Sequence, residues 1–140
     1  MIQTNQAKTD FLPDAIDGIK EVLKDSVEFA LLFGSAVTGR MTLESDIDIG
    51  AYFKKPIGFD EILGIKAALS DKTDRDIDLI VMNTGDTIIT MQILANGKLF
   101  INNDPGFFIR YKAGKIGEYI DFKMDRKIIE DNLLRGRIYA

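Results

Sequence analysis

The sequence predicts a small α/β domain, because short strand-like runs alternate with helix-like stretches along most of the chain. The strand-like runs are either largely apolar or apolar at every second residue, whereas the helix-like stretches repeat apolar residues every three or four positions. The chain of 140 residues is 46% hydrophobic and 29% charged, which is typical of a globular protein with one core. We therefore expect one domain over residues 1–140.

Turn and capping residues place the boundaries of these elements. Gly34 and Ser35 follow an apolar run and are expected to open a short helical turn that Gly39 closes, while Gly97 is expected to end a helix as its C-cap. In chain order, the predicted elements are a helix over about 13–24, a strand over 27–33, the short helical turn, a strand over 46–53, a helix over 59–69, a strand over 76–82, a helix from 86 or 87 to 96, and a short strand over 98–101. The pattern leaves open whether the strand over 46–53 runs parallel or antiparallel to its neighbours.

The C-terminal part is expected to form one long helix over about 105–136. Asp104 and Pro105 are typical of a helix start, with a capping carboxylate followed by proline in the first turn. Apolar residues then recur as a stripe at spacings of three and four: Ile109, Ala113, Ile116, Ile120, Met124 and Ile128. We expect the first half of this stripe to pack on the chain's own sheet and the segment after Met124 to bind a partner. The alternative is that the end of the helix completes the chain's own core.

Composition excludes several classes of site. The chain has no histidine and no cysteine, which excludes Ser-His-Asp catalysis, His-ligated zinc, thiolate chemistry and disulfides. An enzyme built from this sequence must therefore use carboxylates, hydroxyls, amines and hard metal ions bound by oxygen.

Charge and hydropathy point away from nucleic-acid and membrane partners. The net charge of −4 argues against a broad nucleic-acid interface. The basic residues of the tail are interpreted as a solvated face: Arg126, Lys127, Arg135 and Arg137. No apolar run approaches the roughly twenty residues that span a bilayer, and the first ten residues carry no hydrophobic signal segment. We expect a cytoplasmic protein.

The pair Gly34-Ser35 is a candidate phosphate-binding turn. A helix N-terminus offers unpaired N–H groups to an anion, and glycine lets the backbone approach it closely. The Ser35 hydroxyl can add a hydrogen bond to a phosphate oxygen. By itself the pair is weak evidence, because most Gly-Ser pairs form ordinary turns.

Two aspartates with a spacing of two residues, Asp46 and Asp48, are candidate metal ligands. In a strand both carboxylates project on the same side. Adjacent like charges are costly unless a cation lies between them, and Mg²⁺ prefers carboxylate oxygens. The alternative is a solvent-facing strand face.

The strand over 76–82 supplies a third carboxylate. Asp76 and Asp78 share one face, and if this strand neighbours the one over 46–53, its carboxylates can meet Asp46 and Asp48 across the sheet. Three carboxylates around two metal ions are the arrangement for in-line attack on a phosphoryl group. Asp78 is preferred because it lies deeper in the run, with Asp76 at the mouth of the strand. Asp78 is then a metal ligand and a candidate proton acceptor.

The string of Gly34-Ser35, ten residues and Asp46-x-Asp48 resembles the signature of the DNA polymerase β-like nucleotidyltransferases. Ser45 before Asp46 and the run Asp78-Leu79-Ile80 also match. The size resembles the minimal nucleotidyltransferase (MNT) domains, in particular the MntA-type antitoxins of HEPN/MNT toxin–antitoxin pairs. The resemblance covers roughly residues 27–101.

The resemblance implies a small mixed sheet flanked by helices, two Mg²⁺ ions and ATP as the donor. It also implies a HEPN-domain ribonuclease toxin as partner, with AMP transferred to a tyrosine of that toxin. Gly34, Ser35 and Arg40 would bind the nucleotide, and Asp46, Asp48 and Asp78 would bind the metal. Relatives often have a basic residue soon after the Gly-Ser pair, whereas here Ala36 and Val37 follow and Arg40 comes later.

Two other functions are weighed against this one. The chain could neutralise its partner by masking it, with no chemistry, although the intact Gly-Ser pair and the three carboxylates argue against that. It could also be a small-molecule nucleotidyltransferase, such as one acting on aminoglycosides, but 140 residues leave little room for an acceptor pocket.

Overall fold

The computed structural model of the protein describes residues 12–39 and 45–134. In chain order the elements in these ranges are α1 (Leu12–Leu23), β1 (Val27–Phe33), α2 (Ser35–Thr38), β2 (Ile47–Phe53), α3 (Phe59–Thr73), β3 (Ile77–Val81), α4 (Thr87–Asn96), β4 (Lys98–Asn102) and α5 (Pro105–Leu134). Most boundaries lie within one or two residues of the predicted ones. Helix α3 is four residues longer than predicted and ends at Thr73, and the next residue, Asp74, caps it in a left-handed conformation with φ of 56°.

The four strands form one mixed sheet in the order β3-β2-β1-β4. Strand β1 is antiparallel to both β2 and β4, whereas β2 is parallel to β3. The parallel pair arises because α3 carries the chain back across the sheet between β2 and β3, as parallel strands require. The mixed sheet, the flanking helices and the long C-terminal helix confirm the predicted fold class.

One face of the sheet is covered by α1 and α3. Ile19 and Leu23 of α1 and Leu69 of α3 are fully buried. They pack in one cluster with the side chains of this face, among them Ala30, Leu32, Ile47, Ile49, Ala51, Phe53, Ile77 and Leu79. Burying apolar side chains of this size contributes roughly 1.5–3 kcal/mol each. Because alternate residues of a strand point to opposite faces, the residues between these face the other side of the sheet.

The second face is covered by α4 and by the first turns of α5. Phe29 of β1 is fully buried at its centre. Four aromatic rings surround Phe29 with centroid distances of 4.8–6.2 Å: Tyr52, Phe107, Phe108 and Tyr111. The Tyr111 hydroxyl also donates a hydrogen bond to the Met82 carbonyl at 2.6 Å. Burial raises the pKa of Tyr111 to about 12, so this hydroxyl keeps its proton. Aromatic contacts therefore join α5 to the sheet.

Helix α4 lies close to the sheet where β2 has no side chain. A Cβ at Gly50 would be 2.9 Å from the Met82 sulfur and 3.0 Å from Cγ2 of Ile93 on α4. Asp86 caps the start of α4 by accepting hydrogen bonds from the N–H groups of Ile88 and Ile89. Gly97 ends the helix as predicted, but in an extended conformation rather than the left-handed one expected of a glycine C-cap.

The outer face of α5, formed by Ile109, Ala113, Ile116, Ile120, Met124 and Ile128, is exposed. The prediction that the first half of this stripe packs on the chain's own sheet is wrong: Ile109 is 67% exposed, Ile116 is 38% exposed and Ala113 is also exposed. Phe107, Phe108 and Tyr111 lie on the opposite side of the helix and bring more apolar area to the sheet. The helix of 30 residues is about 45 Å long and extends beyond the sheet. Within the described ranges, no helix combines the length and apolar character needed to cross a membrane.

Candidate active site

Asp48 and Asp78 are brought side by side by the parallel pairing of β2 and β3. Their Cα atoms are register partners in the ladder. Asp48 projects from the same face of β2 as Gly50 and Tyr52, because side chains alternate along a strand. Both aspartates lie in the first half of their strands, next to the end of β1, where Phe33 pairs with Asp48. Two carboxylates from two strands therefore meet at one end of the second face of the sheet.

Of this pair, Asp48 is the residue whose ionised form is destabilised by its surroundings. Burial raises the pKa of its carboxyl group, and the nearby charges of Asp78 and Asp46 raise it further. The side chain is half-buried, whereas those of Asp46 and Asp78 are exposed. An ionised Asp48 is therefore disfavoured unless a cation approaches the three carboxylates.

Asp46 lies just outside the sheet, one residue before β2. The next residue, Ile47, donates its N–H to the Asp76 carbonyl at 2.9 Å. The preceding residue, Ser45, accepts a hydrogen bond from Arg75 Nη1, also at 2.9 Å. Asp76 contributes its backbone here while its carboxylate is exposed at the mouth of β3.

Gly34 packs directly against Asp48. It lies between β1 and α2 with φ of 67° and ψ of −141°, a conformation open to glycine and to almost no other residue. A Cβ at this position would overlap Oδ2 of Asp48 and lie 3.1 Å from its Cγ. The glycine therefore keeps open the space between the Gly-Ser turn and the carboxylates. Ser35 begins α2 and is half-buried, and Gly39 ends α2 in a left-handed conformation.

Sequence comparison assigns this arrangement to a family. The profile of the family described as "Polymerase beta, Nucleotidyltransferase" matches residues 17–106, which include Gly34, Asp48 and Asp78. The chain belongs to this nucleotidyltransferase family. No curated protein matches the chain.

Solved structures share the nucleotidyltransferase fold over most of this chain. One chain of a toxin–antitoxin complex with AMP-PNP is 22% identical, with a TM-score of 0.74, over 85% of this chain and 98% of that one. One chain of the MntA-HepT toxin–antitoxin complex is 20% identical, with a TM-score of 0.68, over 86% of this chain and 97% of that one. One chain of a complex between the tri-AMPylated Shewanella oneidensis HEPN toxin and MNT antitoxin is 20% identical, with a TM-score of 0.69, over 86% of this chain and 96% of that one. The family and the fold identify the class of enzyme.

The donor atoms of the nucleotidyltransferase site suit a hard divalent cation. Asp46, Asp48 and Asp78 offer carboxylate oxygens alone, and a cation would offset the repulsion that raises the pKa of Asp48. Within residues 12–39 and 45–134, no three acidic side chains converge closely enough to form a ready metal-binding group. Two of the three predicted ligands are thus paired, while Asp46 stands at the edge of the pair.

Two residues complete the comparison with the sequence prediction. Arg40, predicted to bind the nucleotide, lies outside the described residues. Arg75 was not predicted at all, although its side chain fixes the backbone next to Asp46. Its sequence position immediately before Asp76 gives no hint of this contact, which depends on the parallel pairing of β2 and β3.

Proposed function

We propose that this nucleotidyltransferase transfers AMP from ATP to a tyrosine hydroxyl of a HEPN-domain toxin, in a reaction that requires two Mg²⁺ ions. The observation that carries the proposal is the meeting of Asp48 and Asp78 in register beside Gly34. Paired carboxylates next to a glycine turn suit a metal-bound triphosphate. The carboxylates can bind the cations, and the glycine lets the phosphates approach the backbone.

The Gly-Ser turn would hold the phosphates of ATP. Gly34 presents backbone without a side chain, and Ser35 carries a hydroxyl that can donate to a phosphate oxygen. Arg40 would add positive charge to the same phosphates. This assignment follows the residues of the family signature that are present in this chain.

Asp46, Asp48 and Asp78 would hold the two magnesium ions. When bound, the ions supply charge neutralisation for the triphosphate and lower the pKa of the attacking hydroxyl. The raised pKa of Asp48 in their absence supports this role, since its carboxylate is in the environment that a cation would relieve.

The transfer itself is a substitution at the α-phosphorus of ATP. The tyrosine oxygen forms a bond to the α-phosphorus, the bond from that phosphorus to the bridging oxygen breaks, and pyrophosphate leaves with that oxygen. The hydroxyl proton passes to the carboxylate of Asp78, whose side chain is exposed. Catalysis of this kind depends mainly on positioning and charge stabilisation.

A HEPN toxin as the acceptor is supported by two observations. The structural neighbours include complexes of toxin and antitoxin, one of them with an AMPylated HEPN toxin. The outer face of α5 is apolar and exposed over much of its length, which suits a protein partner.

The test is to incubate the purified chain and its cognate toxin with Mg²⁺ and each of the four nucleoside triphosphates, followed by mass spectrometry. We expect the toxin to gain the mass of one or more adenylyl groups with ATP, on tyrosine, and only with the divalent cation present. An Asp46→Asn variant serves as the inactive control. Neutralisation of the toxin without any change in its mass would instead favour masking, and transfer to a small molecule alone would refute the proposed acceptor.

A further inference from the structure

The two residues that precede β3, Arg75 and Asp76, are hydrogen-bonded to the backbone on either side of Asp46. On one side of Asp46, the Ser45 carbonyl accepts a hydrogen bond from Arg75 Nη1 at 2.9 Å. On the other side, the Ile47 N–H donates to the Asp76 carbonyl at 2.9 Å. The peptide groups before and after Asp46 are thus bonded to consecutive residues of a segment about thirty positions away.

The two contacts differ in what they require of the sequence. The bond from Ile47 to Asp76 is the first step of the β2–β3 ladder and uses backbone atoms only. The bond to Ser45 uses a side chain, and Asp46 lies before the first residue of β2. Within the described part of the chain, the ladder ends at Ile47 on this side. The hydrogen bond from Arg75 to the Ser45 carbonyl therefore fixes the backbone just before the first residue of β2.

Arginine is suited to this position. Its side chain is half-buried, and burial lowers the pKa of the guanidinium group without removing its charge. A charged donor makes a stronger hydrogen bond to a carbonyl than a neutral one. The planar group also fixes the direction of the bond, which the flexible ammonium group of lysine does not.

We propose that Arg75 is a positioning residue of the nucleotidyltransferase: by binding the Ser45 carbonyl, it holds the carboxylate of Asp46 at the edge of the Asp48–Asp78 pair. The inference rests on the proposed function, because it assigns Asp46 to the metal-binding group. It also explains how an exposed carboxylate outside the strand can have a defined position at the moment of metal binding.

The test compares Arg75→Met with Lys72→Met in the full-length protein. Both variants lose one positive charge, but Lys72 pairs with Glu21 on the surface between α3 and α1. Binding of ATP is measured by calorimetry over a series of Mg²⁺ concentrations, and Tm is measured in parallel. We expect the Mg²⁺ concentration needed for half-maximal ATP binding to rise by about 10–100-fold in Arg75→Met, as for other residues that orient a metal ligand. Lys72→Met should match the wild type.

Two further variants separate positioning from general stability. In an Asp46→Asn background, Arg75→Met should change the Mg²⁺ requirement by less than about threefold, because the carboxylate that Arg75 positions is already gone. Arg75→Lys keeps the charge and should fall between wild type and Arg75→Met. If Arg75→Met fails to fold, Arg75→Lys in both backgrounds gives the same comparison.

The outcomes are distinguishable. Equal Mg²⁺ requirements in the wild type and the folded Arg75 variants would overturn the positioning role while leaving the proposed function intact. Full additivity of the Arg75 and Asp46 substitutions would also overturn it. If the wild type itself binds ATP without any dependence on Mg²⁺, the proposed function fails, and this inference fails with it.

Discussion

At the scale of single residues, the space between Gly34 and Asp48 leaves no room for a side chain on Gly34. Gly34→Ala would force a Cβ onto the Asp48 carboxylate in a backbone conformation that alanine avoids. We expect the rate of nucleotidyl transfer to fall by about 100-fold or more, the effect of displacing a reacting group by about 1 Å. Initial rates with ATP and Mg²⁺ measure this directly.

Gly39 provides a matched control for Gly34. It also has a positive φ, of 75°, but a Cβ there would meet no atom within 4 Å among the described residues. Gly39→Ala should therefore cost only the left-handed backbone strain, about 1–2 kcal/mol of stability, and leave the transfer rate near that of the wild type. Equal losses of rate at the two positions would show that backbone strain, rather than contact with Asp48, accounts for the glycine.

Asp48 also makes the folding stability of the metal-free protein depend on pH. Because burial and the neighbouring carboxylates raise its pKa, the folded state binds this proton more tightly than the unfolded state. Its stabilising contribution is therefore present below the ordinary pKa of an aspartate and is lost as the pH rises through the raised value. We expect Asp48→Asn to abolish transfer and yet to raise the Tm of the metal-free protein at pH 7.

This prediction is checked by thermal unfolding in EDTA at pH 7 and near pH 4. The gain in Tm should shrink at the lower pH, because the raised pKa of Asp48 leaves a larger fraction of the wild type protonated there, and a protonated Asp48 is uncharged like asparagine. A variant that is less stable than the wild type at pH 7 would show that the carboxylate makes a stabilising contact that outweighs the repulsion. Wild-type transfer rates would show that Asp48 is not a metal ligand.

At the scale of elements, local sequence patterns predicted the strands and helices well but not the side on which α5 packs. The run at β1 and the alternation at β2 and β3 are set by burial within a few residues, so a short window contains the signal. Helix α5 is apolar on two opposite sides. Which side meets the sheet depends on Phe29 and Tyr52, which are distant in sequence.

The far half of α5 is expected to serve partner binding. Its residues 121–130 are all exposed, including Met124 at 58% and Ile128 at 56%. Truncation after Met124 should leave a folded domain that binds ATP and Mg²⁺ with nearly unchanged affinity, because the proposed metal ligands all precede Val81. Binding of the proposed toxin partner should weaken by about 2–4 kcal/mol, the contribution of a few apolar anchors.

Calorimetric titration of the toxin and of ATP into the truncated chain measures the two affinities separately. Phe108→Ala, on the inner side of α5, serves as the contrasting variant. It should lower Tm through loss of the contact with Phe29, at 4.8 Å between ring centroids. Unfolding or aggregation of the truncated chain would show that the end of the helix belongs to its own core. Unchanged toxin affinity in a folded truncated chain would refute the docking role.

At the scale of the whole molecule, the site and the α5 contact occupy opposite ends of one sheet face. Asp48 and Tyr52 both project from this face of β2, four residues or about 13 Å apart at the usual rise of a strand. Between them, Ile93 of α4 covers Gly50. The proposed chemistry and the attachment of the long helix are therefore supported by the same sheet without sharing a side chain.

Binding of Mg²⁺ and ATP at the proposed site should also raise the stability of the whole protein against unfolding. Mg²⁺ together with ATP should raise the Tm of the wild type, because a ligand at 100 times its Kd stabilises the folded state by about 2.7 kcal/mol. Thermal unfolding with and without Mg²⁺ and ATP measures the shift. The Asp46→Asn, Asp48→Asn double variant should show little of it. An equal shift in the double variant would place the nucleotide elsewhere on the molecule.

The sequence pointed to candidate ligands, whose roles stay a prediction, but it did not point to the contacts that support them. Asp48 and Asp78 each lie in a short run in which apolar residues alternate, and that alternation is a local signal. The role of Gly34 against Asp48 and the contact of Arg75 with Ser45 each join segments that only the sheet brings together. Such contacts leave no periodic signal in the chain.

Because helix α5 is apolar on two opposite sides and only one of them packs on the sheet, its sequence can diverge in a particular way. Its inner side is anchored by a few aromatic rings near its start, whereas its outer face and residues 121–130 are exposed. Substitutions there can accumulate without disturbing either the core or the carboxylates. Under the proposed function, specificity for a new acceptor protein could then evolve by substitutions in this helix, while the residues of the catalytic site stay unchanged.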